Sequence, residues 1–405
     1  MLLCGFLAYH FHKQGQPKDY KKSKSSLSQR RTTIVSRDVL YTFACKVGGN
    51  NCVTRQRCKT CFELDVFDRD VPKTTKTFKA RKNEKSVCYG CGKFKVTSHP
   101  DYVYSCFKCG RLFQKFRNFS TNLSNHVVLV IGCRTKLGHQ VTLKLLRANA
   151  MVYGTTRYPE SAMELFRKYE DSSKWIHNLQ TIALDLDIPN MQEEFSQLRE
   201  KIQNKEGRLD ALIFCAAQTI RVREKQRNQV LIDSGNETNR YGDARFVKET
   251  YKNSWSQRIG DYTQEETLEV FRINALAPLI MIQTMIPLLQ ESLFKPFVIL
   301  VHAREGLFQV NKSPHHLHTN MAKAALAMIT RCLIEEKLLT KKGKKFSFHG
   351  CDPGWISIDE YYEKEAPFLA PPLDEVDGAA RILFPLFKDL DSSRFTRSHF
   401  FSFRK

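Results

Sequence analysis

Apolar positions along the chain follow two regimes that meet near residue 126. Beyond that point, short unbroken apolar runs alternate with longer stretches in which apolar residues recur every three or four positions. The runs predict strands at Val127–Ile131, Met151–Thr155, Thr181–Leu186, Ala211–Phe214, Phe297–Val301 and Phe346–Gly350. The helical spacing predicts helices at Gly138–Ala148, Glu160–Lys168, Met191–Gln203, Gln264–Leu289, Thr319–Glu336 and Glu375–Phe387. Strands that are apolar throughout must be covered on both faces, which is how parallel sheets are built. The fold class read from this order is therefore α/β, a doubly wound parallel sheet with helices on both faces. Thr219 to Glu265 has no sustained period and many charges, so it reads as an insertion where such folds place a short loop. The longest apolar stretch, Ala275 to Leu289, is interrupted by Gln283 and Thr284. It is too short to span a bilayer and reads as a buried helix.

Before residue 126 the pattern is different. Residues 12 to 40 are rich in Lys, Ser, Gln and Arg without periodicity, and 41 to about 118 hold most of the cysteines. Asn118 to Asn125 is polar, as linkers are. The organisation expected is a basic leader over 1–40, a Cys-rich module over 41–118 and a larger domain over 119–405. Met1 to Phe11 is apolar but lacks a leading positive charge and a small-residue cleavage site, which argues against a signal peptide. No membrane span is expected, and the compartment expected is intracellular, with the cytoplasm favoured.

Charge sharpens this division. Residues 1–125 carry 25 Lys and Arg against 8 Asp and Glu, and the rest carries 39 against 34. The excess of +22 is thus mostly a property of the first third. A solvated leader accounts for it, and contact with nucleic acid is the less favoured alternative. Aromatic and basic residues interleave from Phe107 to Arg117, a pattern that serves nucleic-acid stacking. The apolar spacing of Phe113 and Phe116 fits a docking face better.

Eight of the 13 cysteines lie between Cys45 and Cys109. Scattered single cysteines elsewhere point to a reducing compartment, where clustered cysteines are metal ligands more often than disulfides. Cys88, Cys91, Cys106 and Cys109 form two Cys-x-x-Cys turns, each able to offer two thiolates to a tetrahedral zinc ion. Cys45, Cys52, Cys58 and Cys61 make a looser second set. The alternative for either set is reduced thiols in a small core. A four-sulfur site is saturated, so its zinc would be structural.

The strand ending at Ile131 runs into Gly132-Cys133-Arg134-Thr135-Lys136-Leu137-Gly138 and then a helix and a second strand. A glycine-bearing turn between strand and helix presents backbone N–H groups to a pyrophosphate. Further on, Thr319-Asn-Met-Ala-Lys323-Ala-Ala-Leu opens a helix. On these two segments the chain from about Asn125 to Phe387 resembles the short-chain dehydrogenase/reductase superfamily. It is similar to a divergent branch with a zinc-ribbon-like Cys-x-x-Cys module ahead of the same helix.

The resemblance implies a cofactor site. Gly132 and Gly138 match two of the family's three glycines, and Lys136 stands where the middle one would be. Asp185 matches an aspartate near the adenine, Asn274 the family's helix asparagine, and Pro353-Gly354 a segment beside the nicotinamide. The second strand ends at Arg157 with no acidic residue beside it, and Arg134 adds a second cation in the turn. Arginine accepts a 2′-phosphate where an acidic side chain repels it, so NADP(H) is favoured over NAD(H). Arg157 as a solvated strand-end charge is the alternative.

The chemistry is less complete. The family uses a tyrosine as proton donor, a lysine four residues later on the same helix face, and a serine. Here Lys323 is present, Thr319 replaces the tyrosine, and the serine position falls near His302-Ala303. A threonine hydroxyl is too weak an acid for that work. His315, four residues before Thr319, is the natural substitute near neutral pH. The function implied is an NADP(H)-binding oxidoreductase with an altered catalytic set acting on a small carbonyl or alcohol. The rival is an inactive dinucleotide-binding scaffold or sensor whose zinc module meets a protein or nucleic-acid partner. The resemblance also implies a homodimer through the helices at Gln264–Leu289 and Thr319–Glu336.

Overall fold

The structure, a computed structural model, describes residues 87–93, 97–218, 257–308, 312–356, 371–391 and 399–401. In chain order the elements are α1 (Phe107–Asn118), β1 (Val127–Ile131), α2 (Lys136–Arg147), β2 (Met151–Thr156), α3 (Pro159–Arg167), β3 (Leu179–Ala183) and α4 (Met191–Glu206). Then come β4 (Ala211–Phe214), α5 (Gln264–Phe271), α6 (Ala277–Gln290), β5 (Phe297–Val301), α7 (Leu317–Glu335), β6 (Ser347–Cys351), α8 (Glu375–Asp391) and β7 (His399–Phe401). The strands form one parallel sheet in the order β3-β2-β1-β4-β5-β6-β7.

Side chains of a strand alternate between faces, and here each face has its own core. Val128 and Val130 of β1, Ala211 and Ile213 of β4, and Phe297 and Ile299 of β5 pack with α2, α3 and α8. Val127, Leu129 and Ile131, with Leu212, Phe214, Val298 and Leu300, pack with α4, α6 and α7. Both β1 and β5 are buried at every position, which explains why they read as unbroken apolar runs. Strand order reverses between β1 and β4, and beyond the carboxyl ends of such neighbours lies the crevice where open α/β sheets bind ligands.

Two elements differ from expectation. The third strand, expected at Thr181–Leu186, occupies Leu179–Ala183 at the sheet edge. The Leu184 N–H still donates to the Thr156 carbonyl at 2.9 Å, closing the ladder, and beyond it the Leu184 and Leu186 side chains fill the core. The helix expected at Gln264–Leu289 is interrupted by a π-turn at Arg272–Leu276. Pro278 has no N–H to offer the carbonyl four residues back, that of Asn274, so the helix widens there. Helices α5 and α6, taken together as Gln264–Gln290, are long and apolar enough to cross a membrane by length and composition. The pair belongs mostly to the buried core, with Met281, Ile282, Met285, Leu288 and Leu289 almost fully covered. The stretch read as an insertion lies outside the described residues from 219 to 256; its last part ends at Thr263, which caps α5 in a capping box with Glu266.

The Cys-rich segment packs on the same body. Helix α1 lies against α8, with Phe116 edge-on to Phe384 at 4.8 Å and Arg381 4.8 Å over the Phe113 ring. Buried Arg117 reaches Asp374 at 2.6 Å and Asp377 at 3.2 Å. Burial alone would lower the Arg117 pKa, but the Asp377 and Asp374 charges outweigh it and raise it. The Phe113/Phe116 face is thus spent on docking. The stretch from Phe119 to Asn125 is also held: Leu123 is fully buried and its N–H donates to the Ala148 carbonyl at 2.6 Å.

Candidate functional site

The carboxyl ends of β1, β2, β4, β5 and β6 bring most of the expected site residues to one edge of the sheet. At the end of β1, Gly132 has φ 88°, and its N–H donates to the Thr155 carbonyl at 3.1 Å. A Cβ on Gly132 would lie 2.9 Å from the Ala216 backbone, and one on Gly138 would overlap the Gly132 carbonyl oxygen. Only glycine fits at either position, so the turn folds back tightly under the start of α2. Lys136, at the missing middle glycine, has φ 50°. The backbone is left-handed there with a side chain in place, at a cost of roughly 1–2 kcal/mol. The helix thus opens on the turn with Thr135 at its N-cap and no acidic residue in its first turn. That leaves its positive dipole end uncompensated and suited to a pyrophosphate.

Arg134 lies 5.1 Å from the Tyr158 ring, beyond the end of β2. Arg157, one residue earlier, is exposed. Both cations therefore stand beyond the end of the second strand. Asp185 is exposed in the turn after β3, where its carboxylate accepts the Asp187 N–H at 3.0 Å.

At the other end of the crevice, Lys323 of α7 is buried, and its Nζ donates to the Val301 carbonyl at 3.1 Å. Gly306, in the turn after β5, packs so closely on the Lys323 backbone that a Cβ would overlap it. Burial pulls the Lys323 ammonium down to about 8, against the opposing pull of Glu305, Cys215 and Asp352. Burial likewise lifts the Asp352 carboxyl to about 6, with its Oδ1 accepting the Gly354 N–H at 2.9 Å. Asn274 is buried in the π-turn, where its Nδ2 donates to the Gln218 carbonyl at 2.6 Å and to Val270 at 2.9 Å. It therefore fastens the segment after β4 to the α5–α6 corner.

The expected acids are placed less favourably. Thr319 is buried one turn before Lys323, and its hydroxyl has no hydrogen-bond partner among the described residues. Helix α7 begins at Leu317 with His316 left-handed at φ 42°. His315 is therefore outside the helix, and the four-residue helical spacing to Thr319 does not apply to it. His302 turns away into α7, where its Nε2 meets Thr330 Oγ1 at 2.8 Å. Since that hydroxyl donates to the Leu326 carbonyl at 2.9 Å, Nε2 is the donor in the pair. Burial, helped by Lys323, lowers His302 to about 3, so it stays neutral.

Two groups near Lys323 escape a reading by motif. Glu305 is adjacent to the Gly306 contact, and Asp352 follows Cys351, the partner of Val301 across the β5–β6 ladder. For Asp352 the signal was an acidic residue directly after a buried strand, not distinctive by itself, and Glu305 had none, lying in the Arg304–Gly306 turn four residues past β5. A surface groove at the start of α4 and along α6, lined by Pro189, Met191, Arg272 and Ile280, holds none of these residues.

The four sulfurs of Cys88, Cys91, Cys106 and Cys109 lie within 4.8 Å of one another. Tetrahedral zinc at about 2.3 Å from each sulfur would fit such a cluster after small shifts. The Cys106 N–H already points at Cys88 Sγ, 3.1 Å away. Burial raises the Cys88 thiol, but N–H donors from Cys106 and Cys91 outweigh it and bring it to about 7. Burial and the neighbouring sulfurs raise Cys109. As thiolates, four sulfurs so close would require a cation, and a divalent metal is the group this donor set suits. The second set, Cys45, Cys52, Cys58 and Cys61, lies outside the described residues.

A family model described as short chain dehydrogenase matches residues 126–255. An uncharacterized protein, R665 of Acanthamoeba polyphaga mimivirus, is 34% identical over 346 residues, covering 77% of this chain and 73% of its own. A short-chain dehydrogenase structure from Shigella flexneri superposes with a TM-score of 0.51 at 16% identity, covering 70% of this chain and 94% of that one. One from Salmonella enterica serovar Typhi gives 0.49 at 18% identity, covering 68% and 93%. At these identities the structures speak for the fold alone.

Proposed function

Because this chain belongs to the short-chain dehydrogenase/reductase superfamily, we propose that it is an oxidoreductase that binds NADP(H) and interconverts a small carbonyl and alcohol. The observation that carries this reading is the turn from Gly132 to Gly138, shaped so that no other residue fits at either end. Arg134 and Arg157 beyond β2 favour the phosphorylated nucleotide, with Asp185 on the adenine side. Pro353 and Gly354 would flank the nicotinamide, and Asn274 would hold the crevice wall through Gln218.

Bound NADPH would supply the hydride for the substrate carbonyl carbon. The protein must then deliver a proton to the carbonyl oxygen. Lys323 is suited to this, since an ammonium brought down to about 8 is protonated at neutral pH yet gives up its proton readily. Thr319 would hydrogen-bond rather than ionise, and His315 would act from the turn ahead of α7. The cysteine quartet would hold one structural zinc ion. A second copy of the chain is the proposed partner, because Leu268, Leu276, Leu317, Met321 and Met328 are exposed apolar residues on α5, the π-turn and α7.

A scaffold or sensor is the second reading. The buried, unpartnered Thr319 hydroxyl and the inward turn of His302 favour it, since neither can serve as an acid. Thermal unfolding of the full chain with NADPH, NADH or neither separates the readings, as a ligand that binds only the native state must stabilise it. A rise with NADPH and little with NADH supports the cofactor assignment. No rise with either at millimolar concentration removes it, and turnover of a carbonyl panel decides between enzyme and sensor.

A further inference from the structure

Tyr89 sits inside the first Cys-x-x-Cys turn of the quartet, between Cys88 and Cys91. Its hydroxyl accepts the N–H of Trp355 at 2.8 Å, across 266 residues of sequence. The position a Cβ would take on Gly354 is 2.9 Å from the same hydroxyl and 2.5 Å from Arg381 Nη1. Arg381 Nη1 also donates to the Pro353 carbonyl at 3.3 Å, while its guanidinium covers Phe113. Tyr89, Tyr102, Phe113 and Leu373 form one small core with Cys109 and Ile356 packed against it. Tyr102 fixes that core by donating to Asp377 at 2.7 Å in a buried contact. The loop after β6 therefore has the cysteine module as one of its walls.

This loop follows Cys351, which pairs with Val301, and the Val301 carbonyl holds Lys323. The module consequently bears on the lysine end of the crevice rather than on the glycine turn. We propose that Tyr89 is a positioning residue through which metal in the cysteine quartet fixes the Asp352–Trp355 loop and so sets the grip on the nicotinamide half of NADP(H). The inference rests on the cofactor reading above for its second half, and its first half stands on the contacts alone. A metal-loaded quartet fixes the backbone of the Cys88–Cys91 turn, which fixes the Tyr89 ring, which fixes the Trp355 amide. An empty quartet frees the turn, and the loop loses its wall.

The test uses the full chain in zinc-loaded and chelator-stripped forms, and Tyr89→Phe, which keeps the ring and removes the hydroxyl. Cobalt substitution of Tyr89→Phe, read by its thiolate absorption, verifies that the quartet is intact. Hydrogen exchange of the peptide containing Trp355 reads the loop without any nucleotide. Exchange at Trp355 should accelerate about fivefold in Tyr89→Phe, the effect of one ordinary hydrogen bond, and more on metal removal. NADPH affinity should fall about fivefold by the same reasoning, while 2′,5′-ADP, which lacks the nicotinamide half, binds unchanged. Equal weakening of both nucleotides would show a general structural defect and overturn the proposal. Unchanged exchange on metal removal would overturn it too. Exchange that responds to metal in a chain that binds neither nucleotide would retire the cofactor reading and uphold the coupling of metal to loop.

Discussion

The two ends of the crevice have been kept by different means. At the glycine turn the work is done by backbone, folded tightly at Gly132 and Gly138 and left-handed at Lys136. At the lysine end Gly306 packs on the Lys323 backbone, Thr319 is buried, and His302 points into α7. Backbone geometry tolerates substitution as long as the atoms fit. Chemistry at a side chain is lost with a single residue. The proposed nucleotide grip rests on backbone geometry and the proposed proton chemistry on single side chains, so each can be tested without the other.

The comparison is broken hardest at Gly138. Gly138→Val must push the turn off α2, so the NADPH-dependent rise in melting temperature should vanish and the fold should lose about 4 kcal/mol, as other large steric insertions do. Thermal and urea unfolding read both; an unchanged shift would mean that the turn does not hold the nucleotide. Lys323→Met acts at the opposite end. It should cut turnover at least about 100-fold, the usual worth of a positioned acid, while the chain stays folded. Carbonyl reduction followed at 340 nm beside a circular dichroism melt separates the two effects. Retained turnover would take the proton delivery away from Lys323.

Histidines held below their ordinary pKa occur at both ends, His302 and His318 buried and His139 half-buried, and they set the response to acid. His139 on α2 and His318 on α7 are lowered to about 4, and His302 to about 3, all chiefly by burial. Between these values and the ordinary 6.5, the unfolded chain binds protons that the folded chain refuses, so stability falls as pH drops through that window. Each contributes roughly 1.4 kcal/mol per pH unit there. His139 is stacked on Phe166 at 4.3 Å, so His139→Phe should keep the packing and flatten the slope by one histidine's share. Urea midpoints from pH 7 to pH 4 check it, and a slope equal to wild type would refute the burial argument. Arg157→Ala should lower NADPH affinity about tenfold, or about 1.4 kcal/mol, and leave NADH unaffected. Equal loss for both would make Arg157 a solvated strand-end charge. The smallest effect is at Lys136→Gly, which relieves the left-handed strain and should stabilise the fold by up to about 1 kcal/mol.

Much of the fold could be read along the chain because it follows from local periodicity. Val127–Ile131 and Phe297–Val301 are apolar at every position, and the structure buries every one. β3 could not be bounded so well, since the Leu184 and Leu186 side chains carry the apolar run on into the core after strand pairing ends at Ala183. β7 spans three residues, too few for any period. The sulfur quartet was legible because two tight turns carry their own spacing, and its atoms do converge. His315 was misjudged as a helical neighbour of Thr319 because the left-handed His316 that delays the helix leaves no mark in composition.

By itself the sequence determined the order of strands and helices, the glycine turn, the cysteine pairs and the absence of a tyrosine four residues before Lys323. These are facts of neighbouring residues, where spacing alone sets which face a side chain takes. Only the tertiary structure decided that Tyr89 meets Trp355, that Arg117 lies between Asp374 and Asp377, and that His302 points into α7. Those contacts join residues far apart in the chain, and their partners are chosen by which surfaces the sheet brings together and which polar groups must be satisfied once water is excluded.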